Sequence, residues 1–530
     1  MTATNLAPSK GKLTPTPEQE AIISQANSSD SLMVQAGAGC SKTTTMEMTA
    51  KRIRTAALCL AFNKSIEVEM SRRLPNNFAC KTMNGLGHGA WTRGRPQVQK
   101  ITLDDKKVGK LITQLSKERR MELDGDQWGQ VKSLVSGVMR QGISPNNEGE
   151  PLAEDTRENW ADIASDLDIN GDFEFFYDLA REVLEESIKL AKAGTISFDD
   201  QVYCPTILGG RWPKFPFVGV DEAQDLNLLN HAMVAKVLYP EGRLMVIGDD
   251  KQSIYGFRGS VNGSMNRMRQ LRPSWTDLPL LTTFRCPKVI VERQQQHVPG
   301  FRAWHTNPEG LYKRFEAREY PDENIGGIWS WEKLLASKPA PTASLAVLCR
   351  NNGPLMSLAF KLIRRGVGVV MAGRDIGRGL VALSKKIAPS DSTPRDIVAG
   401  QVREWAEREA SLARANGREE KIDGITDRAE CLQAVLTHAG ATDAGQLRVI
   451  LERLFARESG LVTLSSIHRA KGLEWDCVLH LDPWRLPSKW ALRAAAAGDS
   501  RQMEQELNLR YVCETRSKHT LLEGNLEDFA

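Results

Sequence analysis

Short apolar segments, separated by longer stretches of helix-forming composition, recur along this chain. In the first half they lie at 31–36 (SLMVQA), 57–62 (ALCLAF), 216–220 (PFVGV) and 244–248 (LMVIG). Segments this short and this apolar are typical of buried strands. Because helical stretches separate several of them, we expect a parallel sheet that is covered by helices on both faces.

A second set of apolar segments follows in the other half of the chain. They lie at 343–348 (ASLAVL), 367–371 (VGVVM), 461–465 (LVTLS) and 476–480 (DCVLH). The same argument predicts a second lobe, so the fold class that we expect is α/β with two parallel-sheet lobes.

Two charged, helix-like stretches interrupt these lobes. The first covers 96–190 and contains a Gly/Pro/Asn-rich break at 142–151, and the second covers 386–455. The predicted division is 1–95 and 191–280 for the first lobe, 96–190 for its helical insertion, 281–385 and 456–530 for the second lobe, and 386–455 for a short helical insertion.

A run of small residues connects the first predicted strand to a helix. Residues 36–44 read AGAGCSKTT, and 42–53 contains good helix formers without Gly or Pro. Such a turn leaves backbone N–H groups at the start of the helix, where they and the helix dipole hold phosphate oxygens. In this pattern Lys42 reaches the β- and γ-phosphates, and the Thr43 hydroxyl binds Mg²⁺. The predicted phosphate-binding residues are Ala36, Gly37, Ala38, Gly39, Cys40, Ser41, Lys42, Thr43 and Thr44.

Ser41 departs from the usual pattern, which places Gly directly before the lysine. A Cβ here narrows the space in which the backbone meets phosphate, and a positive φ is less favourable than it is for Gly. Because serine is the smallest polar substitute, we expect nucleotide binding to survive. Taken alone, such a loop could also be a chance Gly/Ala turn.

A second nucleotide motif follows at 217–225, which reads FVGVDEAQD. Asp221 comes directly after an apolar strand and would hold Mg²⁺ through water, and Glu222 is placed to accept a proton from the attacking water. Acids at a helix N-terminus could instead merely complement the helix dipole. That alternative does not explain two acids at the end of an apolar strand. The two motifs together predict binding and hydrolysis of a nucleoside triphosphate.

Composition narrows the class of protein only slightly. A length of 530 residues indicates two or more domains, and a net charge of +4 neither demands nor excludes a nucleic-acid partner. The nine cysteines show no zinc-type spacing, so we expect reduced thiols. No apolar run reaches membrane-spanning length and the N-terminus lacks a signal-peptide core, so we expect a soluble, cytoplasmic protein without a membrane partner.

A polar, glycine-flanked loop at 248–259 reads GDDKQSIYGFRG. Gln252 is a candidate phosphate sensor, and Tyr255, Phe257 and Arg258 follow it. One aromatic residue would be better explained as core, but two in such a loop are less easily buried. Stacking on single-stranded bases contributes about 1–3 kcal/mol per base, so we expect this loop to contact single-stranded DNA.

With these motifs in this order, the chain resembles a superfamily 1 DNA helicase of the UvrD/Rep type over nearly its whole length, apart from the two insertions. Gln19 in LTPTPEQEAI is similar to the family's adenine-reading glutamine. The resemblance also implies that Asp221 and Glu222 are the metal-binding and water-activating acids. For Gln252 it implies the role of γ-phosphate sensor.

The resemblance extends to segments that touch single-stranded DNA in this family. These are AFNKSIEVEM, with Phe62 and Asn63, and TMNGLGH at 82–88. Tyr255 and Phe257 fall where the family stacks bases. Many relatives carry Phe at the position of Ala61, so Phe62 lies one place later than in their pattern.

Two strings in the second predicted lobe imply further nucleotide contacts. LTTFRCP is similar to a segment whose aromatic residue stacks on adenine and whose arginine contacts the γ-phosphate, which implies these roles for Phe284 and Arg285. NLRYVCETRSK implies that Arg516 is a second arginine that reaches the nucleotide.

The string TLSSIHRAKGLEWD at 463–476 is the most specific one. It implies a DNA contact for His468 and a nucleotide contact for Glu474, with Lys471 and Gly472 also in place.

The resemblance implies two RecA-like lobes and an ATP- and Mg²⁺-dependent helicase or translocase. It would move 3′-to-5′ along single-stranded DNA, bind junctions of single- and double-stranded DNA, and either unwind duplexes or displace proteins. The alternative is a nucleotide-gated single-stranded DNA-binding protein in which Ser41 has weakened hydrolysis. A fused nuclease fits less well, because few residues follow Arg516. A GTPase fits less well, because NKSI at 63–66 lacks the Asp that guanine recognition needs. A 5′-to-3′ relative fits less well, because the string at 463–476 is of the UvrD type.

Overall fold

The computed structural model of the protein describes residues 14–61, 63–123, 125–167, 169, 173–254, 263–315, 329–415, 419–498 and 500–529. The chain divides into two compact units. Unit 1 comprises Met1–Trp160, Phe176–Asp250 and Gly263–Thr282, and unit 2 comprises Ala161–Phe175, Lys251–Asn262 and Thr283–Ala530.

Unit 1 contains a six-stranded sheet in the order β3-β2-β6-β7-β1-β8, in which every neighbouring pair is parallel. A short parallel pair, β4 and β5, lies apart from it. The strands up to residue 283 are β1 (Ser31–Ala36), β2 (Ala57–Ala61), β3 (Phe78–Thr82), β4 (Thr102–Leu103), β5 (Thr195–Ile196), β6 (Phe215–Val220), β7 (Leu238–Gly248), β8 (Trp275–Leu280) and β9 (Thr282–Thr283).

Helices connect these strands, as a parallel sheet requires. Up to residue 268 they are α1 (Pro17–Ser24), α2 (Lys42–Ala50), α3 (Lys64–Arg73), α4 (Met83–Arg93), α5 (Lys107–Glu118), α6 (Gly125–Gln141), α7 (Arg157–Asp166), α8 (Phe173–Lys192), α9 (Asp200–Ile207), α10 (Leu228–Val237) and α11 (Ser264–Met268).

Unit 2 contains a second six-stranded parallel sheet, in the order β11-β16-β15-β12-β14-β13. Its strands, with β10, are β10 (Arg302–Ala303), β11 (Leu311–Arg314), β12 (Leu345–Cys349), β13 (Val369–Met371), β14 (Val462–Ser466), β15 (Trp475–Leu481) and β16 (Ser517–Gly524). Its helices are α12 (Lys288–Gln294), α13 (Trp331–Ala336), α14 (Asn352–Arg364), α15 (Arg374–Ile387), α16 (Arg395–Ala415), α17 (Glu420–His438), α18 (Ala444–Ala456), α19 (Ile467–Ala470), α20 (Lys489–Ala496) and α21 (Arg501–Glu514). The predicted fold class is confirmed.

The strand predictions succeed where the segments are apolar on both faces. β1 has the predicted bounds, and all five residues of β12 are buried. Helix α2 ends at Ala50, three residues before the predicted end at 53. The Asn77 side-chain amide donates to the carbonyl oxygens of Ile53 (3.1 Å) and Thr55 (2.6 Å), which directs the backbone out of the helix toward β2.

A buried ion pair joins the predicted helical insertion at 96–190 to the segment that follows it. Lys107 Nζ lies 2.5 Å from Asp200 Oδ2, and each side chain is 1% exposed. Lys107 also donates to the Ser187 carbonyl oxygen (2.8 Å), while Asp200 accepts from the Ser197 backbone N–H (2.6 Å). These added hydrogen bonds are what makes burial of two charges tolerable.

Helices α4 and α9 pack against each other closely at Gly87. A Cβ on this residue would lie 2.0 Å from the backbone oxygen of Gln201, which is far inside van der Waals contact. Next to it, the Asn84 side-chain amide donates to the Phe198 carbonyl oxygen (3.0 Å). This part of the TMNGLGH segment therefore packs two helices together.

All nine cysteines are buried free thiols. In the part of the chain that the structure describes, no helix is long and apolar enough to span a bilayer.

Candidate nucleotide-binding site

The predicted phosphate loop connects the buried strand β1 to the N-terminus of α2. Gly39 has φ +70°, and Ser41, the residue before the helix, has φ +58° and ψ +44°. The Ser41 side chain makes no capping hydrogen bond, although its carbonyl oxygen accepts from the Thr45 N–H (2.9 Å). The departure noted in the sequence thus falls on a left-handed backbone position, which costs a residue with a Cβ about 1–2 kcal/mol.

Lys42 is directed at the acidic end of β6. Its Nζ lies 3.3 Å from Glu222 Oε1, and the two side chains are 11% and 26% exposed. Burial by itself would lower the pKa of this ammonium group, but the carboxylates of Glu222, Asp249 and Asp221 raise it above its ordinary value. Lys42 is therefore a fixed positive charge at the start of α2, where phosphate groups bind.

Thr43 and Asp221 meet beside this pair. The Thr43 hydroxyl donates to Asp221 Oδ2 (3.2 Å), and the other oxygen of Asp221 accepts from the Glu222 N–H (2.9 Å). Burial, and then the negative charge of Glu222, raise the pKa of Asp221 to about 6. A divalent cation beside this carboxyl group would favour its ionised form.

These oxygen atoms fit Mg²⁺, which prefers one or two carboxylates and completes its shell with water and phosphate oxygens. The described residues contain no group of three or more His, Cys, Asp or Glu side chains that could hold a metal ion.

A glutamine that the predicted site does not include connects two of these acids. The Gln224 amide nitrogen donates to Glu222 Oε2 (2.7 Å), and its amide oxygen accepts from the Asp249 N–H (3.0 Å). Glu222 itself has φ +50°. Asp249 is also absent from the predicted site. Its position directly after the apolar strand at 244–248 is the same sequence signal that identified Asp221, and could have identified it.

Gln19, the predicted adenine reader, is buried, and its side chain makes two hydrogen bonds. Its side-chain oxygen accepts from the Thr16 N–H (3.0 Å), and its amide nitrogen donates to the Thr45 hydroxyl (3.1 Å). Thr16 is the N-cap of α1, and Thr45 lies in the first turns of α2. The residue therefore links α1 to the helix that follows the phosphate loop.

In unit 2, the predicted nucleotide residues Arg285 and Glu474 form an ion pair, with Nε of Arg285 2.5 Å from Glu474 Oε2. Phe284 is 39% exposed, and its ring centroid lies 5.3 Å from that of Trp304. Trp304 is absent from the predicted site, because nothing in its local sequence sets it apart. The two rings form an aromatic surface next to Arg285.

Arg516 is 1% exposed and is held on several sides. Its guanidinium group donates to the carbonyl oxygens of Val512 (3.0 Å) and Leu473 (3.2 Å) and to the side-chain oxygen of Gln252 (3.3 Å). Lys471 donates to the Gln252 backbone oxygen (2.5 Å). Arg516 and Gln252, two predicted γ-phosphate contacts, thus lie together within unit 2.

The predicted DNA-binding residues are described only in part. Asn63 is the N-cap of α3, where its side chain accepts from the Ile66 N–H (2.9 Å). His468 is partly exposed on α19. Four others lie outside the described residues: Phe62, Tyr255, Phe257 and Arg258.

The P-loop NTPase class of proteins is defined by a parallel sheet in which a strand, a small-residue loop and a helix that begins Lys-Thr follow one another, with two acids at the end of another strand. Comparison with known families identifies the branch. Residues 15–273 match the UvrD/REP helicase N-terminal domain, and residues 407–522 match the UvrD-like helicase C-terminal domain. The chain belongs to the UvrD/Rep-type family of superfamily 1 helicases.

Individual relatives are distant. The chain is 24% identical to F-box DNA helicase protein 1 of Schizosaccharomyces pombe, over 96% of this chain and 57% of the relative. It is 26% identical to ATP-dependent DNA helicase UvrD2 of Mycobacterium tuberculosis, over 56% of this chain and 46% of the relative. It is 23% identical to DNA helicase II of Escherichia coli, over 61% of this chain and 46% of the relative. The chain thus spans about half the length of these relatives.

Proposed function

We propose that this protein is an ATP-dependent DNA helicase or translocase that couples ATP hydrolysis to movement along single-stranded DNA. The observation that carries the proposal is the convergence of Lys42, Thr43, Asp221 and Glu222 at the edge of one parallel sheet. That set supplies a cation for phosphate, oxygen ligands for Mg²⁺ and a carboxylate for water.

In this proposal the backbone N–H groups at the start of α2 and the Lys42 ammonium hold the β- and γ-phosphates of ATP. Thr43 and Asp221 would hold Mg²⁺, which supplies neutralisation of phosphate charge when it is bound. Once Lys42 turns to phosphate, the Glu222 carboxylate loses its ion-pair partner and becomes available to accept a proton from water. Gln224 keeps that carboxylate in position through its 2.7 Å hydrogen bond.

We further propose that Arg285 and Arg516 act on the γ-phosphate, and that Gln252 senses it. The Arg516–Gln252 hydrogen bond supports joint action, since a shift of either side chain changes the position of the other. An arginine supplied to a transferring phosphoryl group contributes about 10³–10⁵ in rate. That these residues reach the nucleotide stays a prediction.

Single-stranded DNA as the track, a preference for junctions with duplex DNA and 3′-to-5′ polarity are proposed from the resemblance to the family. The test of the track is ATP turnover measured with and without a single-stranded oligonucleotide. We expect Glu222→Gln and Lys42→Ala to abolish the stimulated turnover. Glu241→Gln and Lys81→Ala, exposed changes of the same type in unit 1, are the matched controls and should keep it.

The same assay separates the alternative, a nucleotide-gated DNA-binding protein. That protein would bind oligonucleotide in an ATP-dependent way without stimulated turnover. Polarity is tested by strand displacement on duplexes that carry either a 3′ or a 5′ tail. Unwinding from the 5′ tail alone would contradict the proposed direction.

A further inference from the structure

An apolar groove in unit 2 lies apart from every residue discussed above. It forms between α14, the C-terminal end of α17 and α18, and encloses a cavity of about 300 Å³. Its floor consists of Phe360, Ile363, Ile450 and Leu454. Phe360 and Leu454 are buried, while Ile363 and Ile450 are only partly covered. The groove therefore leaves aliphatic surface within reach of solvent.

Three arginines line this groove: Arg364 at the end of α14, Arg453 on α18 and Arg457 just after it. All three are exposed. No carboxylate of the described residues forms an ion pair with any of them, whereas the neighbouring Arg374 pairs with Glu458. The groove therefore carries a local excess of positive charge.

His438, the last residue of α17, reports on the electrostatic potential at the groove. Burial lowers the pKa of this imidazole, and the positive charges of Lys361 and Arg364 lower it further. The charged groups that act on His438 are thus cations, so the groove favours a ligand that brings negative charge.

We propose that this groove binds an acidic peptide segment of a partner protein, with one apolar side chain on the aliphatic floor and carboxylates on the arginines. Arginine pairs with carboxylates through two parallel hydrogen bonds, which gives such a contact both strength and orientation. An apolar anchor that fills a pocket is the usual centre of a peptide interface, and a polar rim surrounds it.

The shape of the groove favours a peptide over other anionic partners. Single-stranded nucleic acid binds through bases stacked on exposed aromatic rings, whereas in this groove the Phe360 ring is 5% exposed and the His438 imidazole is partly buried. A membrane surface is bound by apolar side chains that project from a helix face, not by a concave floor. A cavity of about 300 Å³ lies at the lower end of ligand pockets and suits one or two anchoring side chains.

The test starts from a random dodecapeptide library displayed on phage and selected against the full chain. We expect enrichment of sequences that place Leu, Ile or Phe between Asp and Glu residues. An enriched peptide, synthesised with a fluorophore, is then titrated by anisotropy against the wild-type chain. Arg364→Glu/Arg453→Glu should weaken its binding at least tenfold, and Ile450→Ala should weaken it as well.

The double variant Arg403→Glu/Arg414→Glu is the matched control, because it makes the same charge change on the exposed face of α16. It should bind the peptide like the wild type. Thermal unfolding midpoints of all variants establish that each one is folded. Raising the salt concentration should weaken the wild-type complex, since exposed charge pairs are screened.

Three outcomes would overturn the proposal. The first is the absence of acidic sequences after selection. The second is an enriched peptide whose affinity is unchanged by Arg364→Glu/Arg453→Glu. The third is a single-stranded oligonucleotide or a vesicle of anionic phospholipid that binds more tightly than the peptide and loses binding in the same variant.

Discussion

Replacing Ser41 with glycine should stabilise the nucleotide-bound protein. Ser41 holds φ +58° at the end of the phosphate loop, and its side chain makes no capping hydrogen bond that would offset the strain. Glycine adopts this conformation without the steric cost of a Cβ. The change also removes an atom from the place where the backbone would meet phosphate.

The size of the effect follows from two opposing contributions. Relief of the left-handed conformation contributes about 1–2 kcal/mol. Glycine costs about 0.4–1 kcal/mol, because it adds conformational freedom to the unfolded chain. The net gain is about 1 kcal/mol for the bound state relative to the unfolded, unbound chain. The loop holds the strained conformation in the structure, so we expect most of the gain in the unfolding free energy and the rest as tighter ATP binding.

Calorimetric unfolding with and without a saturating, non-hydrolysable ATP analogue measures both parts. For a unit of this size, about 1 kcal/mol corresponds to a rise of about 2 °C in the unfolding midpoint. Ser41→Ala is the control, because it removes the hydroxyl and keeps the Cβ, and it should show no rise. If Ser41→Gly gains nothing in either condition, or if Ser41→Ala gains as much, the strain argument is refuted.

Three further predictions concern stability. Burial lowers the pKa of His231 to about 4 and that of His480 to about 3, below the ordinary value of 6.5. The neutral form of each histidine therefore stabilises the folded protein, and this stabilisation is lost as the pH falls below 6.5, where the histidine of the unfolded chain takes up a proton. Between pH 7 and 5, urea unfolding should show that the unfolding free energy falls by about 2 kcal/mol for each histidine. His480→Leu should reduce the pH dependence of the unfolding free energy. It should not destabilise the protein at pH 7, since neither ring nitrogen of His480 has a hydrogen-bond partner among the described residues. An unchanged pH dependence would contradict the lowered pKa of His480. Lys107→Met should cost about 3–5 kcal/mol by leaving the Asp200 carboxylate buried and unpaired. Lys107→Met/Asp200→Leu should recover part of this loss in the same assay, because it removes the unpaired charge but leaves the Ser197 N–H and the Ser187 carbonyl oxygen without these partners. Equal losses in both variants would argue against the pair.

Two strands that the sequence did not predict share a physical reason. β3 (FACKT) and β8 (WTDLPL) contain polar residues or proline, and both form edges of the first sheet. An edge strand is covered less completely and tolerates Pro279, so it lacks the continuous apolar pattern of a central strand. Central strands such as β1 and β12 carry that pattern and could be predicted.

The candidate site divides in the same way. The phosphate loop could be predicted because its residues are contiguous and act largely through the backbone. The Gln224 connection between Glu222 and Asp249 could not, because it joins side chains and backbone from two strands. The engagement of Gln19 with Thr45 is also a long-range contact that no local pattern encodes.

The glycine at position 87 changes how a mutational scan of this region should be interpreted. Any larger residue there would force α4 away from the Gln201 backbone, which lies only 2.0 Å from where its Cβ would be. If a variant at this site no longer binds an oligonucleotide, the loss is explained by the displaced helix and does not show that Gly87 contacts DNA. Deficits produced at Asn84, whose amide is tied to Phe198, carry the same ambiguity. Footprinting of the intact protein avoids it, because protection is measured without altering either helix.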